Sequence, residues 1–277
     1  MANFLDAAIE IAREAGEVLM AHRGVAFELK GEHDLVTAAD RASETLVIKR
    51  LQERFPDHGI FAEEGGRAAL QAPLRWYIDP LDGTTNYAHG YPQWNVTLAL
   101  AKNQEVIAGV VYDPLNRELF AAERGAGARL NGAPIHVSKA PTLNESLVST
   151  GFPSRRRHQN VNIHFYYQLA MLTHGVRRSG SAAIDLAYTA CGRIEAFWEF
   201  GLSPWDMAAG TLLVEEAGGK ASGMRNEKLD IHGQYLLADN GLIHKEIIGL
   251  FAEIFKGEYR YQMPGLPAPE WEEVQHG

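Results

Sequence analysis

The fold is decided by the stretch Trp76-Tyr77-Ile78-Asp79-Pro80-Leu81-Asp82-Gly83-Thr84-Thr85-Asn86. Its first three residues are apolar and predict a strand, and Asp79 stands where that strand should end. Pro80 has no backbone N–H, so we expect it to break the strand and to fix a turn. Because Asp82 follows Asp79 by three residues, such a turn would bring two carboxylates to one point.

Two carboxylates at one point repel each other unless a cation lies between them. A hard divalent ion such as Mg²⁺ is held by one or two carboxylates together with phosphate oxygens. Gly83-Thr84-Thr85 adds backbone N–H groups and hydroxyls, and a helix that begins there would favour an anion at its N-terminus. The same pattern is also typical of an acidic turn with a helix N-cap, which needs no ligand. This stretch alone leaves both interpretations open.

Two further acidic clusters lie where an element is predicted to begin or end. Glu63-Glu64 precedes Gly65-Gly66, and Asp206 begins a predicted helix. Taken alone, the first is typical of a solvated loop and the second of an N-cap. The three clusters together favour a functional site, because α/β proteins build their sites where strands end.

The apolar pattern predicts an α/β chain. The predicted helices cover residues 4–19, 38–55, 160–173, 182–190, 206–218 and 244–255, and the predicted strands cover 76–78, 96–101, 106–112, 118–122, 195–200 and 235–238. The strands of the first half are predicted to form an antiparallel meander. The alternation of strands and helices in the second half indicates an α/β layer. No linker separates the halves, so we expect one catalytic domain over residues 1–277. It would have a soft boundary near residue 145 and an irregular tail from about residue 257.

The composition excludes several classes of protein. The chain has 277 residues, and 26 Lys and Arg against 35 Asp and Glu give a net charge of −9. We therefore expect neither nucleic acid nor a membrane surface as a partner, and we expect the basic run at residues 155–157 to lie in a solvated loop. Cys191 is the single cysteine, so the chain forms no intramolecular disulfide. The N-terminus has no signal-peptide pattern and no apolar stretch is long enough to span a membrane, so we expect a cytoplasmic protein.

In their order and spacing these motifs resemble the inositol monophosphatase family. Asp79-Pro80-Leu81-Asp82-Gly83-Thr84-Thr85 resembles the first signature of that family, and Trp205-Asp206-Met207-Ala208-Ala209-Gly210 resembles its second. Glu63-Glu64 is similar to the family's upstream acidic pair. Asp34-Leu35-Val36-Thr37-Ala38-Ala39-Asp40 is similar to its N-terminal active-site segment. The resemblance extends over nearly the whole chain.

The resemblance implies a five-layer α/β/α/β/α sandwich of the sugar-phosphatase type. It implies a Mg²⁺-dependent, Li⁺-sensitive phosphatase with two to three ions per subunit. The implied metal ligands are Glu63, Asp79, the carbonyl oxygen of Leu81, Asp82 and Asp206. Glu63 also has an implied catalytic role through a third, weaker ion. Asp40 and Thr84 are implied to orient the attacking water.

The resemblance also implies how the substrate is recognised. The implied contacts to the phosphate and to a small polyol come from Asp82, Gly83, Thr84, Ala182, Glu199 and Asp206. From the residues alone, Glu199 could instead be an outward-facing side chain of an alternating strand. Lys30 matches a family lysine on a mobile loop near the phosphate.

We therefore expect a homodimer that hydrolyses myo-inositol monophosphate to inositol and phosphate with a metal-activated water. One alternative keeps this chemistry and changes the substrate to fructose 1,6-bisphosphate, histidinol phosphate, NADP or 3′-phosphoadenosine 5′-phosphate. The other is a non-catalytic regulatory protein of the same fold.

Overall fold

A computed structural model describes residues 4–24, 27–31, 34–152 and 160–265 of the chain. These described residues contain seven α-helices and three β-sheets. The helices are α1 (Phe4–Ala21), α2 (Ala38–Arg54), α3 (Thr84–Ala88), α4 (Asn162–Leu172), α5 (Ala182–Ala190), α6 (Pro204–Glu216) and α7 (His244–Phe255). All six predicted helices are confirmed, with ends that differ by a few residues. A small antiparallel sheet joins β1 (Phe27–Gly31) to β2 (Asp34–Thr37).

An eight-stranded sheet occupies the first half of the chain. Its strands are β3 (Gly59–Ala62), β4 (Arg67–Ala68), β5 (Leu74–Asp82), β6 (Asn95–Lys102), β7 (Glu105–Asp113), β8 (Glu118–Glu123), β9 (Ala128–Leu130) and β10 (Ala133–Pro134). Their order across the sheet is β10-β9-β8-β7-β6-β5-β3-β4. β3 runs parallel to β5, whereas β5 to β8 form the predicted antiparallel meander.

A five-stranded sheet occupies the second half. Its strands are β11 (Leu147–Thr150), β12 (Gly175–Arg177), β13 (Ala196–Phe200), β14 (Lys220–Ser222) and β15 (Tyr235–Asp239). β11 is parallel to both β12 and β13, and β15 is antiparallel to both β13 and β14. The second half is therefore a mixed sheet with helices in its connections.

Three apolar cores hold five layers together. α1 and α2 cover the outer face of the eight-stranded sheet, where Leu51 and Trp76 are buried. α5 and α6 fill the space between the two sheets. α4 and α7 cover the outer face of the five-stranded sheet, where Phe165 packs edge-on against Phe251. This is the five-layer α/β/α/β/α sandwich that the resemblance implied.

α6 lies directly against the eight-stranded sheet. Its residues from Met207 to Val214 are all buried. A Cβ at Gly109 of β7 would lie 2.9 Å from the Cα atom of Ala209, so the glycine permits the close approach of the helix. This packing brings the first turn of α6 to the end of β5 at which Asp79 lies.

The prediction that the strand stops at Asp79 was wrong. β5 continues to Asp82, and Pro80 lies inside it and does not turn the chain. The physical reason is a break in register with β6 between Asp79 and Asp82, which accommodates the proline. The predicted start of a helix at Asp206 was also wrong by two residues, since α6 begins at Pro204.

The end of the chain is described as far as residue 265. Residues 257–265 contain neither helix nor strand, and the rest of the predicted irregular tail lies outside the described residues. Within the described residues, no helix combines the length and the apolar character that crossing a membrane requires.

Candidate active site

A β-bulge places Asp79 and Asp82 on the same face of the eight-stranded sheet. Asp79 pairs with Thr97 of β6 and Asp82 pairs with Asn95, so three residue steps on β5 oppose two on β6. Side chains alternate along a strand, so a spacing of three would put the two acids on opposite faces. The extra residue of the bulge restores them to one face. Pro80 is tolerated there because a bulge residue makes no regular ladder hydrogen bond.

Hydrogen bonds from three directions hold this bulge. Ser43 of α2 donates its hydroxyl to the carbonyl of Pro80 at 2.9 Å. The N–H of Leu81 donates to Oδ1 of Asp79 at 3.0 Å, and the hydroxyl of Thr84 lies 3.0 Å from the carbonyl oxygen of Leu81. The carbonyl oxygen that the resemblance assigns to a metal therefore lies next to the side chain of Thr84.

Four acidic side chains meet at this end of β5. Asp79 is 2% exposed, and its burial raises the pKa of its carboxyl group well above the ordinary value. The negative charges of Glu63, Asp82 and Asp206 raise that pKa further. Glu63 follows β3 directly, and its N–H donates to the carbonyl of Ile78 at 3.1 Å. The structure thus brings together the four acids that were predicted as metal ligands.

The donor set suits a hard cation, although the side chains are not arranged as a coordination sphere. Within the described residues, no group of three or more His, Cys, Asp or Glu side chains could hold a metal ion as it stands. Asp206 is engaged as part of a capping box, in which it accepts the N–H of Ser203 at 2.7 Å. Beside the acids, Oδ1 of Asn95 and Oγ1 of Thr97 are buried and have no hydrogen-bond partner among the described residues. Excess negative charge and unsatisfied oxygen atoms fit a hydrated Mg²⁺ ion, provided that some acids turn toward it.

Asp40 and Thr84 are in direct contact. Asp40 caps α2 through Oδ2, which accepts the N–H of Thr37 at 2.8 Å and its hydroxyl at 2.6 Å. Its other oxygen, Oδ1, lies 3.1 Å from the hydroxyl of Thr84. One carboxylate therefore has a structural role and also a contact to the second predicted catalytic side chain.

Gly83 is the N-cap of α3 and has a backbone conformation that other residues avoid. Its φ angle is 89°, and a Cβ there would lie 2.8 Å from the carbonyl oxygen of Gln93. Both the backbone angle and the close approach require glycine. The predicted phosphate-binding backbone at Gly83 and Thr84 is consequently fixed in place.

Glu199 lies at the opposite wall of the site, on β13. It is only partly exposed, and its carboxyl group lies against Gly151, where a Cβ would come within 2.0 Å of it. Burial raises the pKa of Glu199 well above its ordinary value, and the charges of Asp206, Asp185 and Asp82 raise it further. The outward-facing alternative for this residue is therefore wrong.

Four polar side chains that were not predicted as functional lie around the predicted site residues. Glu44 of α2 accepts the N–H groups of Glu64 at 2.8 Å and Gly66 at 3.0 Å, which fixes the turn after Glu63. The other three are Asn95, Ser181 and Asp185. Ser181 carried a recognisable signal as the N-cap of α5.

α5 contributes to the site through its first turn. Ala182 begins this helix and is buried, and its backbone N–H helps to lower the pKa of Asp82, which burial raises. Asp185 lies in the same turn, and its Oδ2 accepts the hydroxyl of Ser179 at 2.7 Å. Burial raises the pKa of Asp185 to about 7.

Two predictions fall outside the described residues. Lys30 lies in β1, but its side chain is outside the described part of the chain. The basic run at residues 155–157 lies outside it altogether.

Comparison with known proteins gives one consistent family. A model described as the inositol monophosphatase family matches residues 1–256. An "Inositol-1-monophosphatase" of Synechocystis sp. is 44% identical over 250 residues, 88% of this chain and 87% of that protein. A "Nus factor SuhB" of Pseudomonas aeruginosa is 40% identical over 258 residues, 90% of this chain and 95% of that protein.

The solved structures agree with the sequences. A structure of an inositol monophosphatase from Anabaena (Nostoc) sp. has a TM-score of 0.83 and 45% identity, and the match covers 91% of this chain and 95% of that one. The match to the family model, the two relatives and this structure all extend over most of the chain. The chain belongs to the inositol monophosphatase family.

Proposed function

We propose that this chain is a Mg²⁺-dependent phosphomonoesterase that hydrolyses myo-inositol monophosphate to inositol and phosphate. The observation that carries the proposal is the meeting of Glu63, Asp79, Asp82 and Asp206 at the end of β5. Burial raises the pKa of Asp79, repulsion by the other three acids raises it further, and bound cations would relieve that repulsion. Membership of the family supports the same chemistry.

The metal ligands in this proposal are five oxygen-bearing residues. They are Glu63, Asp79, the carbonyl of Leu81, Asp82 and Asp206, and they would hold two to three Mg²⁺ ions. Bound Mg²⁺ neutralises charge on the phosphate and lowers the pKa of a coordinated water.

Asp40 and Thr84 would direct the proton of the attacking water. The hydroxyl of Thr84 lies 3.1 Å from Oδ1 of Asp40, so it can donate there while its oxygen accepts from a water. In this arrangement the water would pass a proton to Thr84 as Thr84 passes its own to Asp40, and the water oxygen would attack phosphorus in line with the ester oxygen. The P–O bond to the ester oxygen would break, and the inositol oxygen would leave and take up a proton from solvent. The backbone N–H groups of Gly83 and Thr84 would hold the phosphate oxygens.

The proposed substrate is a small phosphorylated polyol. Glu199 would bind its hydroxyls, together with Asp82, Ala182 and Asp206. The carboxyl oxygens of Glu199 can accept hydrogen bonds from the hydroxyls of a polyol. The negative charge of nearby Asp206 disfavours a second phosphate at this wall.

Phosphate release from a panel of esters tests the substrate. The panel contains inositol 1-phosphate, fructose 1,6-bisphosphate, histidinol phosphate, NADP and 3′-phosphoadenosine 5′-phosphate, each with Mg²⁺. We expect the highest kcat/KM for inositol 1-phosphate and inhibition by Li⁺. A higher kcat/KM for another ester would contradict the proposed substrate but not the proposed reaction.

We also propose that the chain is a cytoplasmic homodimer. Light scattering measures the mass of the particle in solution and so tests the dimer.

A second candidate function is that of a non-catalytic regulatory protein. It is favoured by the relative named "Nus factor SuhB", which is 40% identical to this chain. The two candidates differ in one result. A non-catalytic protein would release phosphate from no ester, even when it is folded and supplied with Mg²⁺.

A further inference from the structure

Asp82 is fixed by three hydrogen bonds that end on one of its two carboxylate oxygens. Oδ2 accepts the hydroxyl of Ser181 at 2.6 Å, the N–H of Ala183 at 3.0 Å and the amide Nδ2 of Asn95 at 3.0 Å. Three donors more than occupy the two lone pairs of one carboxylate oxygen, so Oδ2 has none left for a metal ion. Oδ1 is therefore the oxygen of Asp82 that is available to a metal ion.

Two of these donors belong to α5, and the third crosses from the sheet. Ser181 is the N-cap of α5 and Ala183 lies in its first turn, so the start of the helix holds Asp82 from one side. Asn95 is the first residue of β6 and pairs with Asp82 across the bulge. The helix contacts and the strand contact are thus separate restraints on one carboxylate.

Asn95 links the sheet to the helix through a single amide nitrogen. Its Nδ2 donates to Oδ2 of Asp82 and also to the hydroxyl oxygen of Ser181, at 2.8 Å. Its side chain is fully buried. The hydroxyl of Ser181 gives its proton to Asp82, so it can only accept from Asn95. This pattern requires the amide nitrogen on this side and excludes the flipped amide.

We propose that Asn95 is a positioning residue that fixes Asp82 with one oxygen directed at the metal. This inference rests on the proposed function, because the ion in question is the proposed Mg²⁺. Without Asn95, Oδ2 keeps its donors from α5 but loses the restraint from β6. Asp82 then samples other rotations, and a metal must select the correct one. Hydrogen-bond partners of metal ligands commonly change metal affinity by about 10–100-fold.

Isothermal titration of Mg²⁺ into the full-length chain tests this proposal without turnover. We expect Asn95→Ala to raise the dissociation constant for Mg²⁺ by about 10-fold or more. The Mg²⁺ concentration for half-maximal phosphate release should rise by a similar factor, and saturating Mg²⁺ should restore most of kcat. A general loss of structure would instead lower kcat even at saturating Mg²⁺.

Two further variants separate positioning from packing. Asn95→Leu fills the volume of the amide but donates no hydrogen bond, so we expect it to weaken Mg²⁺ binding as Asn95→Ala does. Asn240→Ala is the matched control. Asn240 is 3% exposed, and its amide donates to the hydroxyl of Ser138 at 3.1 Å, in the turn after β15 and away from the acidic cluster. We expect that variant to lose stability and to keep the wild-type affinity for Mg²⁺.

The outcomes are distinct. Wild-type affinity for Mg²⁺ in both Asn95 variants, or recovery in Asn95→Leu alone, would overturn the positioning role. Equal weakening in Asn240→Ala would overturn it as well, because the effect would then follow stability. A wild-type chain that binds no Mg²⁺ would overturn the proposed function, and this inference with it.

Discussion

Asp82 uses its two carboxylate oxygens for different purposes. Oδ2 accepts three donors from the start of α5 and from β6, which leaves Oδ1 as the oxygen available to a metal ion. This division explains how a buried carboxylate can be both part of the packed interior and a candidate metal ligand. It also allows a substitution that changes the chemistry and retains the hydrogen bonds.

We expect Asp82→Asn to remain folded and to lose all detectable turnover. The amide oxygen can accept the same three donors, which turns the amide nitrogen, a donor, toward the metal. Phosphate release in Mg²⁺ measures the loss, and circular dichroism checks the fold. Asp239→Asn is the control, since Asp239 is fully buried but lies at the far end of β15, where it accepts the N–H of Gly241. Near-wild-type turnover in Asp82→Asn would contradict the metal assignment.

Glu199 offers a test of recognition. In Glu199→Gln the side chain keeps its size but loses the carboxyl group that we propose binds the polyol. We expect a changed order of kcat/KM among the phosphate esters and a smaller loss on a small generic ester. An equal loss on every ester would show that Glu199 acts on the reaction and not on the substrate.

The raised pKa of Asp185 predicts that the stability of the fold depends on pH. Its pKa is about 7 in the folded chain against an ordinary 3.8, so the folded chain retains a proton that the unfolded chain releases between about pH 4 and 7. The free energy of unfolding therefore falls as pH rises through this window. Asp185→Asn removes this contribution and can still accept the hydroxyl of Ser179.

We expect the free energy of unfolding of Asp185→Asn to rise relative to that of the wild type by up to about 4 kcal/mol between about pH 4 and pH 7. Above about pH 7 the difference should stay constant. Urea unfolding at a series of pH values in EDTA measures the difference. A constant difference across the series would rule out a raised pKa for Asp185.

At the residue scale, the sequence predicted the acids and missed the groups that hold them. Asp79, Asp82 and Asp206 stand out because acids at the ends of apolar runs are unusual. Asn95 and Glu44 carry no such signal, because their partners lie 13 and 20 or more residues away and become neighbours only in the folded chain.

At the scale of elements, the β-bulge and the central helices decide the site. A one-residue change of register is set by pairing with β6, so the sequence of β5 alone does not reveal it. The turn predicted at Pro80 was wrong for this reason. α6 was predicted although both sheets cover it, because its ends are marked by Asp206 and by the glycines that follow the helix.

The close contact between α6 and β7 can be tested with one methyl group. We expect Gly109→Ala to lower the free energy of unfolding by about 1–3 kcal/mol, because its Cβ would meet the backbone of Ala209. We also expect lower activity, since α6 carries Asp206. Chemical unfolding and phosphate release measure the two effects.

Gly249→Ala in α7 is the matched control. In the part of the chain that the structure describes, nothing lies within 4 Å of a Cβ at that position, so the better helix propensity of alanine should raise the free energy of unfolding by about 0.5–1 kcal/mol. If Gly109→Ala were as stable and as active as the wild type, α6 would not be held by this contact.

At the scale of the whole molecule, the layer order could not be worked out from periodicity. Several strands of only two to four residues, such as β4 and β12, are too short for a periodic signal. Their pairing depends on contacts across the sheets, and the resemblance to a known family supplied the five-layer order. The division into one catalytic unit with a boundary near residue 145 stays a prediction.

The central claim is that the acidic cluster makes this chain a Mg²⁺-dependent phosphatase. It is tested most directly by phosphate release from inositol 1-phosphate, with the intact chain first stripped of divalent ions by EDTA and then supplied with Mg²⁺. We predict no release in EDTA, full recovery with Mg²⁺ and inhibition by Li⁺. Undiminished release in EDTA, or no release by the folded chain in Mg²⁺, would contradict the account.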